Sequence, residues 1–217
     1  MINIFGKNRK KKMTGKLITF EGGEGAGKTT QVALLAEYLQ KKGEKVVVAR
    51  EPGGVDIAEQ IRRILLDKKN TKMYKITEAL LYQAARAQVY HELVRPALER
   101  GEIVLMDRSR DSSVVYQGIV RNLGVALIEK LNDISTEELT PNLTFLLDVP
   151  VEIGLHRKSD DEVNRLELEG KKFHEKVNKA YLKLHKLDGF GRIIKINAKN
   201  TVEKVFEQVV KYYEKYQ

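Results

Sequence analysis

The sequence contains no cysteine and no long apolar segment. Without cysteine, disulfides and thiolate chemistry are excluded. Because the four histidines are also scattered along the chain, no zinc site is predicted. No apolar run approaches the roughly 20 residues of a membrane-spanning helix, and residues 1–12 lack the apolar stretch of a secretory signal. These absences favour a cytoplasmic protein without a membrane partner.

The length of 217 residues suits one α/β domain, and a composition of 42% hydrophobic and 32% charged residues is typical of a globular protein. The net charge of +9 is compatible with nucleic-acid binding, but part of it comes from a basic cluster within residues 7–12. Anionic substrates would explain the remainder equally well. We expect a basic, mobile extension over residues 1–14, with Met13 as an alternative start, and one domain over residues 15–217.

Short apolar runs alternate with segments of helical periodicity, which predicts a doubly wound parallel sheet with helices on both faces. The predicted strands are 17–20, 46–49, 103–106, 143–149 and 192–196. The predicted helices are 28–42, 57–67, 76–100, 173–184 and 202–213. In the helix 76–100, Leu80 and Ala84 fall on the predicted buried face, and Pro96 predicts a kink or a short final segment. The charged stretch 158–164 predicts an exposed loop that could serve as a short lid.

A phosphate-binding motif follows the first predicted strand. Residues 22–29 have the sequence Gly-Gly-Glu-Gly-Ala-Gly-Lys-Thr, which matches G-x-x-x-x-G-K-[ST] between a strand and a helix. Backbone N–H groups of such a loop, with the helix N-terminus, bind nucleotide phosphates, while Lys28 reaches the outer phosphates. Thr29 and Asp107, at the end of the third strand, are expected to hold Mg²⁺. The predicted ATP-binding residues are Gly22, Gly23, Glu24, Gly25, Ala26, Gly27, Lys28, Thr29 and Thr30.

This motif alone does not identify the class of protein, because GTPases, ATPases and small-molecule kinases share it. A guanine-binding Asn-Lys-x-Asp is missing, since residues 197–200 are Asn-Ala-Lys-Asn, and this disfavours a GTPase. An ATPase that acts on nucleic acid remains an alternative, but only the basic N-terminal segment favours it.

Three further segments supply groups suited to a nucleotide acceptor. Arg50 ends the second strand ahead of Glu-Pro-Gly-Gly, and a guanidinium there can bind a phosphate through two N–H groups. Tyr82 and Arg86 are four residues apart on one helical face, where a ring can stack on a base and a cation can bond its edge. Asp-Arg at 107–108, Ser-Ser at 112–113 and Tyr-Gln-Gly at 116–118 follow the third strand. Each group alone has an ordinary structural explanation, as core packing or a solvated surface charge; their joint occurrence does not.

From about Gly15 to the C-terminus, these segments in this order resemble the bacterial thymidylate kinases. The resemblance implies a P-loop NTPase fold with a five-stranded parallel sheet, usually in a homodimer. It also implies transfer of the γ-phosphoryl group of ATP to dTMP with Mg²⁺, giving dTDP and ADP. A kinase for another nucleoside monophosphate on the same scaffold is the main alternative.

The resemblance also implies individual roles. Arg50 and Arg108 would bind the acceptor phosphate, Tyr82 would stack on thymine, and Arg86 would contact the edge of the base. Ser113 and Gln117 would lie near the base, Tyr116 near the sugar where it disfavours a 2′-hydroxyl, and Glu24 near the 3′-hydroxyl. The expected catalytic groups are Lys28, Arg108, Arg165 and Glu24.

The chain departs from the family pattern at three positions. Ser109 stands where an aromatic residue or histidine usually follows the Asp-Arg pair, and Tyr82 stands where phenylalanine is more common. Gly25 occupies the position at which one branch of the family carries a catalytic arginine. This chain therefore resembles the branch whose lid supplies that cation, with Arg165 as the first candidate and Arg157 as the second.

Overall fold

The computed structural model describes residues 13–157, 165–166 and 169–216. Its centre is a five-stranded parallel sheet with the strand order β2-β3-β1-β4-β5. The strands are β1 Lys16–Glu21, β2 Val46–Arg50, β3 Ile103–Asp107, β4 Leu143–Asp148 and β5 Ile193–Asn197. The five strands predicted from the sequence are thus confirmed.

The helices connect and cover these strands. They are α1 Lys28–Lys41, α2 Asp56–Leu66, α3 Lys75–Val89, α4 Arg95–Glu99, α5 Arg110–Ser113, α6 Val125–Thr136, α7 Val151–His156, α8 Lys171–Leu187 and α9 Val202–Tyr216. Two π-helical segments, Tyr90–Val94 and Val114–Val120, join α3 to α4 and continue α5. Among the described residues, no helix has both the length and the apolar character needed to cross a bilayer.

Successive side chains along the buried strands point to opposite faces of the sheet, and each face has its own hydrophobic core. On one face, Ile18 and Phe20 pack with residues of α1 and α9 such as Leu35 and Val209. On the other face, Leu17 and its neighbours pack with α4 and the segment Tyr90–Val94. Helices therefore cover both faces, as the apolar strands require.

The order of the strands brings three strand ends together. Phe20 of β1 pairs with Asp107 of β3, and Asp107 also pairs with Arg50 of β2. The carboxyl edge of the sheet consequently carries three groups close together: the glycine-rich loop after β1, the Asp107–Arg108 pair and Arg50. Open α/β sheets bind their ligands at this edge.

The region predicted as one helix over 76–100 is divided by the segment Tyr90–Val94. Pro96 has no N–H, and its ring would collide with the carbonyl four residues earlier. Arg95 N–H instead donates to the Tyr90 carbonyl, five residues back, and the short α4 follows. The predicted short final segment is therefore confirmed. The predicted buried face is wrong at Leu80, which is 50% exposed, and at Ala84.

The predicted lid and most of the predicted N-terminal extension are not described by the structure. The proposed lid, 158–164, lies outside the described residues, as do residues 1–12 of the N-terminal extension. Met13 packs against the core of the second face, and Thr14 N–H donates to the Leu98 carbonyl over 3.3 Å. The last two residues of the predicted extension therefore contact the domain.

Candidate active site

A cavity of about 710 Å³ opens at the carboxyl edge of the sheet. The glycine-rich loop and the start of α1 form one side of it. The predicted acceptor residues line the rest, namely Arg50, Tyr82, Arg86, Arg108, Ser113, Tyr116 and Gln117. Asp107 lies between the two groups. One cavity therefore collects residues that are far apart in the sequence.

The glycine-rich loop has a backbone that glycine favours. Gly22, Gly25 and Gly27 have φ values of 146°, 63° and 88°, in a region that L-residues rarely adopt. Inside the loop, Lys28 Nζ donates to the Gly23 carbonyl over 2.8 Å. Burial, and then the charge of Arg108, lower the pKa of Lys28 to about 8. The ammonium group is therefore charged at neutral pH and is held at the loop where a phosphate would bind.

Gly25 lies directly against α7. A Cβ atom on Gly25 would overlap the Gly154 carbonyl, and one on Gly154 would overlap the Glu24 carbonyl. The two backbones can approach this closely only because neither residue has a side chain. An arginine at position 25, as in the other branch of the family, is therefore incompatible with this position of α7.

Thr29 and Asp107 form a pair of oxygen ligands beside the loop. Thr29 Oγ1 donates to Asp107 Oδ2 over 2.5 Å. Mg²⁺ prefers hard oxygen ligands and commonly takes only one or two protein carboxylates, with phosphates and water completing its shell. A hydroxyl and a carboxylate at a phosphate-binding loop fit that ion.

Arg108 connects the loop to the acceptor side. Its φ of +65° is unusual for a residue other than glycine, and such conformations persist only where the surroundings hold them. Its guanidinium donates to Glu24 Oε1 over 2.7 Å and to the Gly22 carbonyl over 2.9 Å. It also lies 5.5 Å from the ring centre of Tyr116, whose hydroxyl is 3.4 Å from Glu24 Oε1. Arg108, Glu24 and Tyr116 thus form one contiguous group.

The backbone around Arg108 is held by Glu21, which the sequence analysis missed. Its carboxylate accepts hydrogen bonds from Ser109 N–H over 2.8 Å, Ser112 Oγ over 2.6 Å and Tyr181 Oη over 2.9 Å. Burial, and then the charge of Asp111, raise the pKa of Glu21 to about 7. A glutamate that ends a buried strand has no distinctive sequence signal, because its partners come from distant segments.

Arg50 is the most exposed of the predicted acceptor residues, with 47% of its side chain accessible. It forms an ion pair with Glu59 at 2.7 Å. Arg62 of α2 also lines the cavity and donates to the Pro52 carbonyl over 2.7 Å. Burial and the neighbouring charge of Arg50 lower the pKa of Arg62. Arg62 is therefore a further cation on the acceptor side of the cavity. No sequence signal marked it, because an arginine on an amphipathic helix is usually an ordinary surface residue.

Tyr82 and Arg86 lie on one face of α3, as their spacing predicts, but their environments differ. Tyr82 is half-buried and packs against the cluster that contains Tyr116. Arg86 is 1% exposed. Its Nε and Nη2 both donate to Glu51 Oε2, over 2.8 and 2.6 Å.

The remaining N–H groups of Arg86 are also occupied. Nη2 donates to the Ser109 carbonyl over 3.0 Å, and Nη1 donates to Asn132 over 2.6 Å and to Gln83 over 3.2 Å. A guanidinium has five N–H donors, so Arg86 must give up a protein partner before it can bond a base. The contact with Gln83 is the longest of these hydrogen bonds.

Ser113 and Gln117 lie on α5 and the π-helical segment that continues it, and both are buried. Gln117 Nε2 donates to Glu78 Oε1 over 2.9 Å. A π-helical turn shifts the register of the side chains that follow it, and such turns are frequent at functional sites. Here the turn carries Tyr116 and Gln117, which both line the cavity.

The structure separates the two candidates for the lid cation. Arg165 donates to Glu78 Oε2 over 2.6 Å and to the Leu65 carbonyl over 2.9 Å, and it does not line the cavity. Arg157, at the end of α7, lines the cavity beside the glycine-rich loop and donates to the Ala198 carbonyl over 3.2 Å. Of the two candidates, Arg157 is thus the one that lines the cavity containing the phosphate loop.

Comparison with known proteins agrees with this geometry. A family model for thymidylate kinase matches residues 20–209 of the chain. Among the relatives, the thymidylate kinase of Thermosipho africanus is 45% identical over 200 residues, which cover 92% of this chain and 98% of that protein. The thymidylate kinase of Geotalea uraniireducens is 52% identical over 178 residues, which cover 78% of this chain and 83% of that protein.

Solved structures include the thymidylate kinase of Ehrlichia chaffeensis, which superposes with a TM-score of 0.75 at 31% sequence identity. The match covers 92% of this chain and 98% of that one. Together with the parallel sheet, it confirms the predicted α/β P-loop NTPase fold. The chain belongs to the thymidylate kinase family.

Proposed function

We propose that the protein transfers the γ-phosphoryl group of ATP to dTMP, giving dTDP and ADP. The observation that carries this proposal is the single cavity in which a nucleotide-phosphate loop faces the complete predicted acceptor set. Family membership supports both substrates. An isolated glycine-rich loop would support only the binding of a nucleotide.

The donor side has the parts that phosphoryl transfer needs. The glycine-rich loop would bind the ATP phosphates through backbone N–H groups, and Lys28 would neutralise the charge that moves with the γ-phosphoryl group. Thr29 and Asp107 would hold Mg²⁺, which would neutralise negative charge on the ATP phosphates. Arg157, which lines the same cavity, would add a second cation on the donor side.

On the acceptor side, Arg50 and Arg108 would hold the dTMP phosphate in line with the ATP phosphates. Glu24 presently accepts a hydrogen bond from Arg108, so the acceptor phosphate would compete with Glu24 for that guanidinium. The Glu24 carboxylate would in turn accept a hydrogen bond from the 3′-hydroxyl of the sugar. Because a phosphomonoester is largely ionised near neutral pH, positioning and charge neutralisation suffice without a strong general base.

A coupled assay of ADP release tests the proposal. The purified protein is given ATP and Mg²⁺ with each of dTMP, dUMP, dCMP, AMP and GMP, and separately with DNA. We expect release that depends on the acceptor and is fastest with dTMP. Preference for another monophosphate would reassign the substrate, and stimulation by DNA alone would support the nucleic-acid ATPase and overturn the kinase.

We also propose a homodimer formed through α3 and α6. Leu80 and Ile134 are 50% and 69% exposed, and Ala84 lines a shallow surface pocket together with Ile134. Exposed apolar side chains on neighbouring helices are typical of an interface between copies. Light scattering after gel filtration should give twice the mass of the chain, and Ile134→Glu should shift it toward the monomer, whereas Ile153→Glu on α7 serves as the control.

A further inference from the structure

Gln117 sits at the acceptor end of the cavity with one end of its amide occupied. The side chain is buried, and the residue lines the cavity together with Tyr82. Its Nε2 donates to Glu78 Oε1 over 2.9 Å. No hydrogen bond to the side-chain oxygen of Gln117, Oε1, is found among the residues that the structure describes. That oxygen is therefore the part of the amide that remains for a ligand.

Glu78 fixes the orientation of the Gln117 amide. It is buried one helical turn before Tyr82, and Arg121 and Arg165 both donate to it. Burial opposes its ionisation, but the hydrogen bond from Gln117 and the charges of the two arginines hold the pKa of Glu78 below its usual value. An ionised carboxylate only accepts hydrogen bonds. The NH₂ group of Gln117 must consequently face Glu78, and the carbonyl oxygen must face away.

We infer that Glu78 is a positioning residue that sets the base specificity of the acceptor site by fixing the Gln117 amide with its carbonyl oxygen toward the base. Thymine and uracil carry an N–H at ring position 3, which can donate to this oxygen. Cytosine has a lone pair there, so two acceptors would face each other and a buried hydrogen bond would be lost. The inference rests on the proposed function, because it concerns the acceptor of that reaction.

The same contacts could have a purely structural role, in which Glu78 only neutralises Arg121 and Arg165. The two roles make different predictions. Loss of a structural ion pair would lower stability or slow the reaction with every acceptor equally. Loss of the amide orientation would change the ratio between acceptors that differ at ring position 3.

The experiment compares kcat/KM for dTMP, dUMP and dCMP in the wild type and in Glu78→Gln. A glutamine at position 78 can donate as well as accept, so the Gln117 amide is free to turn. We expect the preference for dTMP over dCMP to fall by about tenfold to a hundredfold, the range that corresponds to one unsatisfied buried hydrogen-bonding group. The ratio of dTMP to dUMP should stay unchanged, because both bases carry the N–H.

Arg121→Gln is the matched control. It removes one cation from Glu78 but keeps the carboxylate and the Gln117 amide, so both acceptor ratios should stay at their wild-type values. If Glu78→Gln fails to fold, the double variant Glu78→Gln/Gln117→Glu replaces it. That variant restores a carboxylate–amide pair, presents only acceptor oxygens to the base, and should keep the preference for dTMP over dCMP.

Each result separates this inference from the proposed function. A wild type that phosphorylates none of these acceptors overturns the proposed function. A wild type that prefers dTMP over dCMP, with the same preference in Glu78→Gln, overturns the inference and leaves the kinase intact. An equal loss with all three acceptors assigns Glu78 the structural role alone.

Discussion

The two halves of the cavity are built in different ways. On the donor side, one short segment supplies the loop backbone, Lys28 and Thr29, and the positive φ angles of its glycines set its shape. On the acceptor side, side chains from separate helices and strands converge, and buried ion pairs such as Arg86–Glu51 hold them in place. The donor half is thus encoded locally, and the acceptor half depends on the tertiary fold.

This difference determines how each half responds to substitution. Truncating a donor side chain removes a charge but leaves the loop backbone, so chemistry should fail while the fold persists. Removing one partner of a buried acceptor-side ion pair leaves an unpaired charge, which costs about 3–5 kcal/mol of stability. Donor variants should therefore show their effects mainly in turnover, and acceptor variants in binding, specificity and stability.

The largest effect is expected for Lys28→Ala. Loss of a cation that stabilises the transition state should lower kcat by about 10³-fold or more, while the glycine backbone is retained. Because burial penalises the ammonium group, thermal melting should show a variant no less stable than the wild type. A folded variant with wild-type rates would contradict the assignment of the glycine-rich loop as the ATP site.

Tyr82→Ala tests the acceptor half in the same way. If the ring stacks on the base, the variant should lose about 1–3 kcal/mol of acceptor binding, whereas Tyr82→Phe should be tolerated. The KM for ATP should barely change, because the two sites are distinct. Equal damage to the use of ATP and of acceptor, or simple unfolding, would make Tyr82 a core residue.

The pH dependence should also separate the halves. The pKa of Lys28 is lowered to about 8, so its charge is present below that pH and is lost as pH rises through it. We expect kcat/KM for ATP, which reports the free enzyme, to fall about tenfold per pH unit above 8. Lys28→Arg should abolish this decline, since arginine stays charged. A decline that persists in Lys28→Arg would assign it to another group.

A smaller effect is expected from Tyr116, which lies beside both Glu24 and Arg108. If its ring crowds the 2′ position of the sugar, Tyr116→Ala should raise the relative efficiency with the ribonucleotide analogue of dTMP. The measurement is the ratio of kcat/KM for the two acceptors. An unchanged ratio with intact dTMP activity would exclude this role.

The smallest effect is expected from deletion of residues 1–12. We propose that this basic segment is an extension that contributes nothing to either half of the site, so kcat and both KM values should remain within about twofold of the full chain, as for surface changes away from the site. Thermal melting serves as the control. A large loss of activity at equal stability would assign the segment a function.

The sequence predicted the donor half of the cavity better than the residues that support the acceptor half. The glycine-rich loop, the strand ends and the Tyr82–Arg86 face were predictable because each depends on a local pattern or on fixed helical spacing. Glu21 and Glu78 were not, because a buried carboxylate is recognised only by partners that the fold brings to it.

Arg165 shows the limit of resemblance. The resemblance made it the first candidate for the lid cation, whereas the structure pairs it with Glu78, and Arg157 lines the cavity instead. The role of either arginine therefore stays a prediction. The prediction that Leu80 is buried was wrong for another reason, since helical periodicity does not distinguish a buried core face from an exposed apolar face.

The close approach of Gly25 and Gly154 limits which residues the phosphate loop can carry. A Cβ atom at position 25 would meet the backbone carbonyl of Gly154, and one at position 154 would meet the backbone carbonyl of Glu24, so a side chain is excluded at both positions. An arginine could therefore enter position 25 of the phosphate loop only if α7 moved away from the loop at the same time. While α7 keeps this position, the backbone of one helix excludes every side chain from that point in the loop that precedes α1.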